Sequence, residues 1–181
     1  SYSCILANRI SYIFNLHGPA MVIDTACSSG AVAIHQACMA LCREECDMAI
    51  AGGVNVIYSS WFADEQSGLD MFQSPDSLLR AFDKKANGTI GGEGVAAIFL
   101  KPLKKALLDR DNIHAVILGS AINNDGESNG ITAPNPGAQE RVLVSAWERA
   151  GIKPESLSYI EAHGTGTPIG DSIEITGLTN A

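Results

Sequence analysis

The sequence has few charged residues, and basic ones are especially scarce. Only 18% of its 181 residues are charged, and 12 basic residues face 20 acidic ones, which gives a formal net charge of −8. The longest basic clusters are the pairs Lys84-Lys85 and Lys104-Lys105. Because nucleic-acid binding needs a concentrated positive surface, nucleic acid is disfavoured as a partner.

Long apolar runs and a secretory signal are also missing. No stretch reaches the roughly 18 apolar residues of a membrane span, and no charged start is followed by the apolar stretch of a signal peptide. The five cysteines are odd in number and lack the spacing of a small disulfide-rich secreted domain. These absences predict a cytoplasmic protein with no membrane partner.

Three of the cysteines have a regular spacing. Cys38, Cys42 and Cys46 are four residues apart and would share one face of a long helix. One alternative is a metal site. The acidic run 44–47 indicates instead that the helix ends there, so we expect buried thiols without a ligand and no bound metal.

The remaining composition favours a layered α/β fold. Hydrophobic residues make up 46% of the chain, which suits strands and helices buried on both faces. The apolar patterns predict strands at 20–23, 48–57, 94–100, 115–119 and 157–162, and helices at 4–12, 30–41, 101–112 and 137–150. The first strand, helix and strand imply a right-handed parallel crossover. The chain therefore divides into two related α/β halves joined near 101–112, with a long irregular segment at 58–92.

Cys27 is the first candidate catalytic residue. It stands among small residues between the predicted strand 20–23 and the apolar helix 30–41. At a helix N-terminus, unpaired N–H groups and the helix dipole favour a thiolate over a thiol. The alternatives at this point are a reactive nucleophile on a strained turn and an inert buried cysteine.

His163 is the second candidate. It follows the predicted strand 157–162 and begins a Gly/Thr turn, at the end of the sheet where open α/β folds hold their ligands. Asp171 and Glu174 have capping-box spacing, which predicts that the next helix starts at Asp171. The alternative is a structural histidine in a tight loop. Of the other histidines, we expect His17 and His114 to be solvated and His35 to be hydrogen-bonded in the core.

Together these pieces resemble the ketosynthase domain of modular type I polyketide synthases, in the thiolase superfamily. The matching motifs cover nearly the whole chain: Asp24-Thr25-Ala26-Cys27-Ser28-Ser29, Ala51-Gly52-Gly53-Val54-Asn55, Arg80-Ala81-Phe82-Asp83, Gly92-Glu93-Gly94, the stretch from Asn124-Asp125-Gly126 to Ala133-Pro134-Asn135, and Glu161 to Thr167. The segments 6–12 and 173–178 look most like systems whose acyltransferase is a separate protein.

The resemblance implies a thiolase-like αβαβα sandwich that dimerises. Cys27 would accept an acyl chain from an acyl carrier protein, and His163 would stabilise the enolate formed when a malonyl thioester loses CO₂. Thr165 and Thr167 would hold the phosphopantetheine arm, which arrives on the carrier protein, so no bound cofactor is expected. The enolate would then attack the acyl-Cys27 thioester in a Claisen condensation.

The resemblance also implies that parts of the domain lie outside these residues. The family needs a second histidine in a Gly-His motif downstream of Thr167, and a glycine-rich loop with a phenylalanine. We therefore expect an incomplete ketosynthase domain at 1–181, inactive alone, with part of the N-terminal half at 1–103 and the start of the C-terminal half at 113–181.

Three other functions are compatible with the same residues. A non-elongating ketosynthase would load and pass on the acyl chain without condensing it. A cysteine hydrolase would use Cys27 with His163 as general base, although no third orienting group stands out in the sequence. A decayed module would keep only a structural, docking role, but both chemical residues are intact.

Overall fold

The computed structural model describes residues 3–57, 72–130 and 132–181, and the chain divides into two compact units. The first unit contains Ser1–Asn55 and Gly94–Val116, and the second contains Val56–Glu93 and Ile117–Ala181. Of the predicted irregular segment, 58–71 lies outside the described residues. Its remainder, 72–92, is irregular as predicted, with one isolated bridge between Gln73 and Thr89.

The first unit is built on helix α2 and a pair of strands. Its elements are helix α1 (Ile5–Phe14), a 3-10 turn (Ala26–Ser28), α2 (Ser29–Cys42), strand β1 (Ala49–Asn55), strand β2 (Gly94–Leu100) and helix α3 (Leu103–Asp109). The strands pair antiparallel, with Ala49 opposite Leu100. A Cβ on Gly52 would lie 2.7 Å from the Ala96 carbonyl oxygen, so glycine is needed for this close approach.

The strand predictions are correct for 48–57 and 94–100 and wrong elsewhere. Within the described residues, 20–23, 115–119 and 157–162 form no paired strand, and the strand pair observed is antiparallel. The predicted parallel crossover from 20–23 to 48–57 is therefore wrong. An apolar run specifies a tendency to be buried, whereas a strand also needs a hydrogen-bonded neighbour that the run does not identify.

The second unit contains two helices that pack together. These are α4 (Pro136–Ala150) and α5 (Pro168–Asn180), with a 3-10 turn at Pro154–Ser156 between them. The Asn135 side chain caps α4 by accepting from the Gly137 and Ala138 amides at 3.0 and 3.2 Å. Gly151 ends α4 at φ 65°. The helix predicted at 137–150 is thus confirmed, with its signals at both ends.

The three regularly spaced cysteines are free thiols. Helix α2 ends at Cys42, before the acidic run, as predicted. Cys38 and Cys46 are half-buried and Cys42 is exposed, so the expectation of burial is wrong for Cys42. Burial, and then the neighbouring Cys42, raise the pKa of the Cys38 thiol. The described part of the chain brings no three His, Cys, Asp or Glu side chains together in a way that could hold a metal ion.

The hydropathy of the helices bears on membrane insertion. In the ranges that the structure describes, no helix has the length and apolar character needed to cross a bilayer.

Candidate active site

Cys27 lies in a short 3-10 turn that leads directly into α2. The turn spans Ala26–Ser28, and α2 begins at Ser29. Ala26 has φ 53°, a left-handed conformation that costs a residue with a Cβ about 1–2 kcal/mol. The Cys27 side chain is exposed. The sequence correctly placed this thiol on a strained turn at the helix start, but the inert buried cysteine is wrong because the thiol is open to solvent.

Local hydrogen bonds hold this turn. The Thr25 amide donates to the Ser29 hydroxyl at 2.9 Å, and that hydroxyl donates to the Ala26 carbonyl at 2.7 Å. The Ser28 hydroxyl donates to the Thr25 carbonyl at 2.8 Å. The Asp24 carboxylate accepts from the Ala26 amide at 3.3 Å. Each bond joins residues at most four apart, so the Cys27 turn is a local structure.

The start of α2 remains available for a negative charge. Ser28 is the N-cap residue, but its side chain makes no capping bond to the helix amides. The first amides of a helix have no partner within the helix and carry the positive end of its dipole. A charge that develops at or beside Cys27 is therefore stabilised by backbone groups.

His163 begins a loop that the first turns of α5 hold in place. The Glu174 carboxylate accepts from the His163 amide at 2.6 Å and from the Gly164 amide at 2.8 Å. The Asp171 carboxylate accepts from the Gly166 amide at 3.0 Å. The His163 residue is exposed, whereas Gly166 is buried. Carboxylates thus fix the backbone of the loop and leave the imidazole at the surface.

The predicted capping box at Asp171 and Glu174 is wrong. Helix α5 begins at Pro168, and its N-cap is Thr167, whose side chain accepts from the Gly170 amide. The carboxylates of Asp171 and Glu174 instead reach back to the loop that precedes the helix. The spacing of three residues correctly indicated that the two side chains act at one helix end. It did not reveal that their partners lie outside the helix.

Thr165 and Thr167 have hydroxyls in direct contact. Their Oγ1 atoms are 2.9 Å apart, and both residues are half-buried. A Cβ on Gly170 would lie 2.4 Å from the Thr167 Oγ1 and 2.8 Å from the Thr165 Oγ1. Glycine at this position therefore gives the two hydroxyls the space they occupy.

The His163 loop is seated against a distant part of the chain. Gly164 and Gly166 have φ 54° and 70°, and a Cβ on Gly164 would lie 3.2 Å from the Phe82 ring. A Cβ on Gly166 would lie 2.9 Å from the Gly88 carbonyl oxygen, and the Gly88 amide donates to the Gly166 carbonyl at 3.0 Å. Segment 79–88 therefore forms the surface that holds this loop, a role that the sequence did not indicate.

An ion pair and its neighbours shape that segment. Arg80 donates to both oxygens of the Asp76 carboxylate, at 3.0 and 2.7 Å. The Ser74 hydroxyl contacts Asp76 at 2.7 Å and the Asn87 side-chain oxygen at 3.0 Å. The Arg80 and Ser74 hydrogen bonds lower the pKa of the Asp76 carboxyl well below its usual range. The ionised carboxylate thus organises the turn before Phe82.

The predicted site residues fall in two places. His163, Thr165 and Thr167 share one loop of the second compact unit, whereas Cys27 belongs to the first. The other histidines differ from them in setting. His35 is buried in α2, and His17 and His114 are exposed, as expected.

Comparison with protein families identifies the chain along almost its whole length. Residues 1–106 match the family described as beta-ketoacyl synthase, N-terminal domain. Residues 114–181 match the one described as beta-ketoacyl synthase, C-terminal domain.

Similar proteins of known sequence include polyketide synthases from bacteria and a hybrid synthetase from a fungus. The chain is 49% identical to the polyketide synthase PksL of Bacillus subtilis over 175 residues, which are 96% of this chain and 4% of that protein. It is 48% identical over 179 residues to the hybrid PKS-NRPs synthetase opdA of Penicillium oxalicum, covering 98% of this chain and 4% of that protein.

Similar solved structures are ketosynthases. An oxazolomycin ketosynthase domain from Streptomyces albus JA3453 superposes with a TM-score of 0.96 at 42% identity, over 100% of this chain and 31% of that one. The ketosynthase from module 6 of the bacillaene synthase of Bacillus subtilis gives 0.90 at 48% identity, over 97% and 32%. The chain therefore spans about a third of these ketosynthases. These matches confirm the α/β thiolase-like fold, and the chain belongs to the beta-ketoacyl synthase family, among the ketosynthases of polyketide synthases.

Proposed function

We propose that this chain carries part of the active site of a condensing ketosynthase that loads an acyl group on Cys27 and extends it with a malonyl-type thioester. The observation that carries the proposal is the exposed Cys27 thiol, held by a strained turn at the uncapped start of α2. A thiolate in this position is a nucleophile suited to acyl transfer.

The first step is transfer of the acyl group from an acyl carrier protein. The Cys27 thiolate attacks the carbonyl carbon of the acyl thioester, the bond to the phosphopantetheine sulfur breaks, and the carrier leaves as a thiol with the proton that Cys27 gave up. The Cys27 amide, at the start of α2, donates to the oxyanion. Loss of one such donor costs about 10²–10³ in rate in other enzymes.

The second step is decarboxylative condensation. The His163 imidazole donates a hydrogen bond to the thioester carbonyl of the malonyl unit, which loses CO₂ and leaves an enolate. The enolate carbon attacks the acyl carbonyl, and the bond to the Cys27 sulfur breaks. The product is a β-ketoacyl thioester two carbons longer. The exposed His163 on a backbone fixed by Glu174 suits this role because the imidazole is free to meet the thioester.

Thr165 and Thr167 hold the phosphopantetheine arm in this proposal. Thr167 accepts the Gly170 amide and contacts Thr165, so the hydroxyl pair is fixed at the start of α5. The arm is delivered on the carrier protein rather than bound as a resident cofactor. Malonyl and acyl thioesters are the substrates, and the complete domain acts as a homodimer with a separate acyltransferase.

Condensation requires more than the residues of this chain. The resemblance demands a second histidine in a Gly-His motif, and the remaining histidines here are buried in α2 or lie in other sequence settings. The two halves, 1–103 and 113–181, are parts of a domain about three times as long in the solved relatives. The activity therefore belongs to the full-length polypeptide, and the isolated 181 residues are inactive.

The test is loading and CO₂ release by the full-length polypeptide. An acyl thioester is expected to leave its mass on the peptide that contains Cys27, and malonyl thioester is then expected to release CO₂. Cys27→Ala removes both signals. Cys42→Ala is the matched control, because Cys42 is also exposed on the first unit and leaves both unchanged. Equal loading in the Cys27→Ala protein overturns the proposal.

The same assay separates the other functions. Loading without CO₂ release identifies a non-elongating ketosynthase, and release of free acid identifies a hydrolase. The geometry favours the condensing reaction over hydrolysis, because Glu174 holds the His163 backbone rather than orienting its imidazole as a third catalytic group.

A further inference from the structure

Asp171 is a buried acidic residue that joins two distant parts of the second unit. It is 6% exposed. One carboxylate oxygen accepts from the Gly166 amide at 3.0 Å, and the other accepts from the Phe82 amide at 2.6 Å. Gly166 is a neighbour in sequence, but Phe82 is 89 residues away. A buried carboxylate is tolerated only where such bonds satisfy it, so both contacts are needed.

The two amides held by Asp171 belong to conformations that do not hold themselves. Phe82 has φ 60°, which is unusual for a bulky side chain. Gly166 has φ 70° and stands between Thr165 and Thr167. Strained backbone of this kind persists only where the surroundings fix it, and it concentrates at functional sites.

The contact with Phe82 also reaches the residue beside His163. A Cβ on Gly164 would lie 3.2 Å from the Phe82 ring, so the ring lies directly against the backbone that follows His163. If Phe82 relaxed to a negative φ, its ring would leave this place and the loop would lose its support. The carboxylate of Asp171 is therefore connected to His163 through Phe82 and Gly164, and to the threonine pair through Gly166.

We propose that Asp171 is a positioning residue for condensation: by holding the Phe82 and Gly166 amides together, it sets where the His163 imidazole and the Thr165 and Thr167 hydroxyls meet the malonyl thioester. This inference rests on the proposed function. It assigns to Asp171 a part in the second reaction step and none in the loading of Cys27, whose turn is held by its own local bonds.

The test is Asp171→Asn in the full-length polypeptide. The amide has the same shape, but one of its ends is an NH₂ donor that faces an N–H donor, so it can accept only one of the two backbone bonds. Since misplacement of a reacting group by about 1 Å can cost about 10²-fold, we expect malonyl-dependent CO₂ release to fall between ten- and a hundred-fold. Acyl loading of Cys27 stays within about two-fold, because loading does not use this loop.

The matched control is Asp109→Asn, the same exchange of oxygen for nitrogen at an exposed carboxylate. Asp109 contacts Lys101, which keeps Asp111 as a second partner, so both reaction steps are expected to stay unchanged. Amide hydrogen exchange, read residue by residue by mass spectrometry, is expected to accelerate at both Phe82 and Gly166 in Asp171→Asn and at neither in the control.

Each outcome decides the inference. A loss of CO₂ release with loading retained supports it, whereas unchanged release, or an equal loss of both steps, overturns it. If the Asn variant does not fold, exchange in the unaltered protein decides: slow exchange at both Phe82 and Gly166 supports the double contact, and fast exchange at either overturns it. Failure of the unaltered protein to release CO₂ would instead contradict the proposed function.

Discussion

The Cys27 turn and the His163 loop are both strained, but they are held in different ways. The hydrogen bonds of the Cys27 turn span at most four residues. The His163 loop depends on two carboxylates of α5 and on a segment about eighty residues earlier in the chain. A nucleophile on a local turn needs only its own sequence to be placed. The loop that meets the second substrate is placed by tertiary contacts, so its geometry is open to change from remote sites.

The largest effect that separates the two regions is expected from Gly166→Ala. The new Cβ would lie 2.9 Å from the Gly88 carbonyl oxygen, at a residue with φ 70°. A left-handed alanine costs about 1–2 kcal/mol and overpacking adds about 1–3 kcal/mol, so the free energy of unfolding should fall by about 2–4 kcal/mol. Urea unfolding of the full-length polypeptide measures the change.

Gly151→Ala is the matched control for that substitution. Gly151 has φ 65°, but a Cβ there has open space around it. It therefore reports the backbone cost alone, about 1–2 kcal/mol. Equal losses in the two variants would show that the contact with Gly88 does not constrain the loop.

A smaller effect is expected when the local support of Cys27 is removed. Ser29→Ala deletes the hydroxyl that accepts from the Thr25 amide and donates to the Ala26 carbonyl. At an exposed turn we expect a loss of about 1 kcal/mol, and alkylation of Cys27 by iodoacetamide slowed up to about five-fold because the turn no longer fixes the thiol at the helix start. Mass spectrometry measures the rate, with Cys42 as internal reference.

Ser156→Ala is the corresponding control. Its hydroxyl donates to the Lys153 carbonyl at 2.7 Å in the other 3-10 turn, so it removes a similar local bond without touching Cys27. A slower Cys27 reaction in this variant would contradict local control of the thiol.

The smallest effect is expected from pH, through the Asp76–Arg80 pair. Hydrogen bonds from Arg80 and Ser74 lower the pKa of the Asp76 carboxyl in the folded protein. The stability that this provides is fully present above the unfolded value of about 3.9 and is lost as the pH falls through the lowered folded value. The pair is partly exposed, with 46% of the Asp76 side chain accessible, so solvent screening keeps the effect small.

Asp76→Asn should therefore flatten the decline of the unfolding midpoint below about pH 4, where an unpaired aspartate would titrate. Thermal unfolding between pH 7 and pH 2 measures it. Glu148→Gln, at an exposed carboxylate on α4, is expected to leave the acid-side slope unchanged. An unaltered slope in Asp76→Asn would mean that the ion pair does not couple folding to protons.

Much of the helical structure was determined by the sequence alone. Helix α4 has its Asn135 cap, Pro136 at its first position and Gly151 at its end, and these signals act over one or two turns. The same holds for Cys27, since small residues before an apolar helix define a turn in which every bond is local. The motif pattern, finally, was sufficient to identify the ketosynthase family.

Tertiary structure decided which strands pair and what the acidic residues of α5 do. The segments 20–23, 115–119 and 157–162 have the apolar pattern of strands, but pairing depends on a neighbour that the pattern does not specify. Asp171 and Glu174 have the spacing of a capping box, yet their carboxylates bind amides of the loop before α5, and Asp171 also binds Phe82. A bond across 89 residues exists only in the folded chain, because no local propensity brings its two ends together.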